Sequence, residues 1–114
     1  MRNQRDVIAY VRDINEALDR IIHYSSSTTY EEFAKSEWDQ AAVMRQFEII
    51  GEAVVNIDFD FKNTHSEIEW RDMIDFRNFL IHDYADIDVT IVWDAMIKNV
   101  PPLKKKIESI IHNV

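Results

Sequence analysis

One glycine and two prolines in 114 residues leave this chain few ways to turn sharply. Sandwiches and barrels need turn residues about every 8–12 positions, so the shortage points to long helices joined by polar loops. The length fits a single domain over residues 1–114, with little room for a second. Hydrophobic residues at 46 % and charged residues at 30 % describe a globular chain rather than a disordered one. A domain this small buries a limited share of its surface, which leaves apolar area for a partner.

Hydrophobic periodicity fills in the helices. Val7, Val11, Ile14, Leu18 and Ile21 alternate steps of four and three over Gln4 to Tyr24. "SSSTT" at 25–29 supplies a loop and hydroxyl N-caps, with Glu31 and Glu32 in a following first turn. A second long helix is expected from Ser36 to Asn56 on Val43, Phe47, Ile50, Val54 and Ile57. Gly51 lies inside it, where a glycine lets another helix come close. "NIDFDFKNTHS" is expected as a polar connection, with Phe59 and Phe61 packing back in an irregular turn. "SEIE" at 66–69 has capping-box spacing and starts a third helix, with Trp70, Met73, Ile74, Arg77, Leu80 and Ile81 on one face. That helix is expected to loosen near Asp83. A fourth starts after Asp88, a break or kink falls at Pro101–Pro102, and Leu103, Ile107, Ile110 and Ile111 form the apolar side of a last helix with "KKK" (104–106) on its exposed side. The expected fold is all-α, an up-and-down bundle of four to five helices.

Several function classes are set aside. Without cysteine there is no disulfide or thiolate chemistry, which agrees with a reducing cytoplasm. "MRNQRDVIAY" has no apolar h-region and no 18 apolar residues run together, so a cytoplasmic protein without a membrane span is expected. His23, His65, His82 and His112 show no metal-ligand spacing. The pairs Asp58–Asp60 and Asp86–Asp88 suit loop and cap positions better than a metal site. Phosphate loops of the glycine-rich kind cannot exist with one glycine, and no cofactor is expected. Trp38, Trp70 and Trp93 are expected on apolar faces. The net charge of −8 opposes loose binding to nucleic acid. From Glu52 to Asp94 there are eleven Asp or Glu against Lys62, Arg71 and Arg77.

The string that carries chemistry is "RNFLIHDY", Arg77 to Tyr84. Arginine's planar fork matches phosphate oxygens, and histidine exchanges a proton near neutral pH. Asn78 and His82 share a helix face, whereas Arg77 and His82 lie about 140° apart around an ideal axis. They converge if the helix end distorts or if groups from two chains meet. A structural reading also stands, in which Arg77 pairs with Asp75 or Asp83 and His82 caps the helix.

"RNFLIHDY" resembles the R-x4-H-x-Y signature of the HEPN superfamily, in particular the branch that includes the HepT toxins. "MRQFEIIGEAVVNI" (44–57) resembles that family's second helix with its glycine–glutamate pair, and "WRDMIDFRNFLIHDYADIDVTIVWDAMIKNVPPLKKKIESII" (70–111) its later half. The resemblance covers nearly the whole chain. It implies a homodimeric bundle with active sites at the dimer cleft, and metal-independent endoribonuclease action. On the matching positions, Arg77 binds and stabilises the phosphate, His82 serves as general acid or base, and Asn78 orients them or the substrate. It further implies a small nucleotidyltransferase antitoxin that adenylylates Tyr84, within a larger hetero-oligomer. The other reading is a non-catalytic subunit that docks such a transferase or senses nucleotide.

Overall fold

The computed structural model describes residues 4–113, with side chains from residue 7 onward. Among these residues the chain is all-helical and has no strand. Helix α1 spans Gln4–Ser25, α2 Tyr30–Lys35, α3 Glu37–Val55, α4 Phe59–Thr64 and α5 Trp70–His82. A 3-10 turn at Tyr84–Asp86 leads to α6 (Val89–Asp94), a π-helical turn at Ala95–Asn99, and α7 (Val100–His112). No helix among the described residues is long and apolar enough to cross a membrane.

The core follows the stripes. Val7, Val11, Ile14, Leu18 and Ile21 of α1 are no more than 2 % exposed, and α1 packs between α3 and α7. α3 in turn carries α5 on its far side, so α5 is an outer helix that leans chiefly on α3. Side-chain oxygens start several helices: Thr29 accepts from the Glu32 amide, Ser36 from Asp39, Asp58 from Phe61 and Asp88 from Thr90.

Six expectations need correction. Residues 59–64 form a short helix rather than an irregular turn; Phe61 packs inward, but Phe59 stays exposed. The third long helix starts at Trp70 rather than Ser66, and no side chain caps it. Burial of Ile68, with the Trp70 indole N–H donating to the His65 carbonyl at 3.0 Å, holds 66–69 as a turn instead. The two prolines do not break the last helix. They occupy the first turn of α7, where a missing N–H is tolerated. The disruption appears upstream as the π turn, closed by the Val100 N–H on the Ala95 carbonyl.

Trp38 is 86 % exposed, because it sits five residues before Val43 and so about 140° off the buried stripe of α3. Ile81 is also exposed, on the flank of α5 turned away from the core. Lys104 is buried, unlike its neighbours Lys105 and Lys106. α7 presses it onto α1, where its ammonium donates to Asn15 at 2.7 Å and pairs with Asp19 at 3.1 Å and Glu108 at 3.3 Å. Three acceptors for three donors make this burial tolerable.

Candidate functional site

The motif residues lie at the C-terminal end of α5 and in the 3-10 turn after it. Gly51 fixes where α5 crosses α3. A Cβ on Gly51 would run into Arg77 Cβ, would stand 2.7 Å from Arg77 Cγ and 3.1 Å from the Met73 carbonyl oxygen. The only glycine of the chain is therefore the seat of the Arg77 stem. With the stem pinned there, the guanidinium reaches Asn78, whose Oδ1 accepts from Nη1 at 2.9 Å. Arg77 Nε is buried and has no hydrogen-bond partner. Arg77 forms no ion pair among the described residues, and Asp75 is engaged by Arg71 at 3.0 Å. The paired-arginine alternative thus does not describe this molecule.

His82 is the last residue of α5 and is exposed, and its imidazole has no hydrogen bond or ion pair among the described residues. α5 remains α-helical through His82, so Arg77 and His82 leave the axis about 140° apart. One chain brings Arg77 and Asn78 together but does not aim His82 at the same point. Asp83 ends α5, and the Asp86 N–H bonds its carbonyl at 2.9 Å to form the 3-10 turn. That turn holds Tyr84 59 % exposed.

Tyr84 stands at the mouth of a cavity of about 300 Å³ between the turn, α2, α3 and α6, walled by Phe33, Met44 and Val92 with Glu37 and Gln40. A larger groove of about 550 Å³ runs along the other flank of α5, past Asp72 and Phe76. It contains none of the motif residues. On its rim, the hydrogen bond and charge of Asp72 push the Glu69 carboxyl above its usual range.

Sequence reasoning expected another helix to come close at Gly51, as α5 does, but missed that Arg77 is the residue seated there and missed the cavity beside Tyr84. The first had a signal in the solitary glycine; the second had none, because its walls come from four separate segments.

The family model described as ribonuclease HepT-like matches residues 14–110. The chain belongs to that HepT-like family. A protein of Methanocaldococcus jannaschii named "Putative RNase MJ0127" is 40 % identical over 111 residues, covering 97 % of this chain and 92 % of the other. The "Probable ribonuclease HepT" of Thermococcus cleftensis is 42 % identical over 101 residues, covering 89 % and 92 % respectively. No solved structure matches the chain.

Proposed function

We propose that this protein is an endoribonuclease toxin that acts as a homodimer and cleaves RNA without a metal ion. The observation that carries the reading is an arginine held by Gly51 and Asn78, one turn before an exposed histidine, in a chain of the HepT-like family. The Arg77 guanidinium meets a phosphodiester and stabilises the charge that grows on its oxygens. The RNA 2′-oxygen bonds to phosphorus as the bond to the 5′-oxygen breaks. His82 takes the 2′-hydroxyl proton or supplies the one the leaving oxygen needs. The products are a 2′,3′-cyclic phosphate and a 5′-hydroxyl. Asn78 keeps Arg77 in place.

A dimer also answers the 140° problem, since Arg77 of one chain and His82 of the other can face one strand. Control comes from a nucleotidyltransferase partner that moves AMP from ATP to the Tyr84 hydroxyl, releasing pyrophosphate. The exposure of Tyr84 supports this step. The added phosphate sets negative charge beside His82 and repels an RNA backbone.

Purified protein should cleave single-stranded RNA in EDTA, and Arg77→Ala and His82→Ala should each lose that activity by about a hundredfold or more. Unchanged cleavage in both variants rejects the assignment. Binding of a transferase without any cleavage by the free protein favours the docking-subunit alternative.

A further inference from the structure

We propose that the cavity beside Tyr84 binds one unpaired nucleobase carrying an exocyclic amino group, and so sets where the RNA is cut; the link to cutting rests on the ribonuclease reading above. The volume, about 300 Å³, is at the small end of ligand pockets and suits a single base rather than a dinucleotide. Tyr84, which lines it, follows His82 by two residues, so a strand held at the histidine has only a short way to reach the cavity.

Tyr84, Ile87 and Val89 present the surface that the faces of a base would meet, above a buried floor of Phe33, Met44 and Val92. Phe33 is fully buried and held in place by Tyr24 and Trp93, with ring centroids 6.1 Å and 5.6 Å away. Met44 and Val92 are buried beside it, and the exposed Tyr84 ring at the mouth offers a stacking surface. None of the lining residues is Lys or Arg. A phosphate would meet the Glu37 carboxylate with no cation to offset it, so the cavity takes the base and leaves the phosphate outside.

The polar groups decide which base. Gln40 Nε2 donates to the carbonyls of Phe33 at 2.9 Å and Ala34 at 3.1 Å. Both amide hydrogens are committed, which leaves Oε1 as the group Gln40 can still offer. Glu37 offers carboxylate oxygens. The pocket is therefore rich in acceptors and selects for donors. Adenine and cytosine present an amino group, and guanine an amino group next to a ring N–H. Uracil presents one ring N–H between two carbonyls, which would oppose Glu37 and Gln40 oxygens.

Two measurements test this on the whole protein. In a titration with AMP, CMP and UMP, the Met44 methyl resonance should move with AMP and CMP, with UMP about tenfold weaker. A Met44 signal that ignores all three nucleotides, or follows UMP equally, overturns the pocket. In the second, oligonucleotides differing at one base should be cut about tenfold faster beside A or C than beside U. Glu37→Ala, an exposed position, and Val89→Phe, which fills the cavity from α6, should both flatten that preference. A preference that persists in both variants overturns the link to cutting. If wild type cuts no RNA at all, the ribonuclease reading fails, and the Met44 titration still decides the pocket.

Discussion

Gly51 and Arg77 share one crossing point, and the energetics of that contact make an opposing pair. Alanine at an ordinary mid-helix glycine gains about 1 kcal/mol from propensity. Here the new Cβ meets the Arg77 stem and the Met73 carbonyl, and forcing atoms into a packed contact costs about 1–3 kcal/mol. The clash outweighs the propensity gain. Gly51→Ala should lower stability by up to about 2 kcal/mol in urea unfolding, by subtraction of those two terms. On the proposed mechanism its effect on RNA cleavage should be larger, about tenfold to a hundredfold, because a phosphate-binding group displaced by a fraction of an ångström loses alignment. Full activity in Gly51→Ala would show that α3 does not place the arginine.

At the scale of elements, Lys104 fastens α7 to α1. Its partners Asn15 and Asp19 sit one turn apart on α1, and Glu108 one turn further along α7. Asp19 and Glu108 are partly solvated, so removing the lysine strands no deeply buried carboxylate. Lys104→Ala should therefore cost about 1–3 kcal/mol, mostly from lost packing of the stem and unmade bonds. The same change at Lys105, which is exposed, should stay within about 0.5 kcal/mol. Equal melting temperatures for the two variants would refute the fastening role.

These elements also show what a sequence can disclose. The α1 stripe was legible because every fourth or third residue faces the same core along the whole helix. Lys104 was not legible: a lysine in a triplet is buried only because Asn15 and Asp19, some ninety positions earlier, happen to face it. Trp38 misled because aromatic character was read without its angle to the Val43–Val54 stripe. The prolines announced an irregularity, but its form depended on where the first turn of α7 could begin. At the site, family resemblance singled out Arg77, Asn78, His82 and Tyr84. Only the helix crossing could reveal that Gly51 seats Arg77.

For the molecule as a whole, the proposed activity sets an acidic chain against a polyanion. Net charge is −8, and a second copy doubles the repulsion while adding a second Arg77. In a two-fold dimer whose sites take arginine from one chain and histidine from the other, each single variant kills both sites. A mixed dimer of Arg77→Ala with His82→Ala then retains one intact site and should recover about half of the wild-type rate, as two-fold symmetry requires. If arginine and histidine act within one chain, the mixed dimer stays inactive. Co-purification on two affinity handles followed by RNA cleavage separates these outcomes.

The position of α5 at the margin of the fold has a consequence for motion. A helix supported chiefly by one neighbour opens locally at lower free energy than the core it leans on. The amide protons of Arg77 to His82 belong to such a helix and should exchange faster than those of α1, which is clasped between α3 and α7. The motif residues thus ride on a helix whose support is mainly a single crossing, and loosening that crossing would free Arg77 and His82 while the rest of the fold stayed closed.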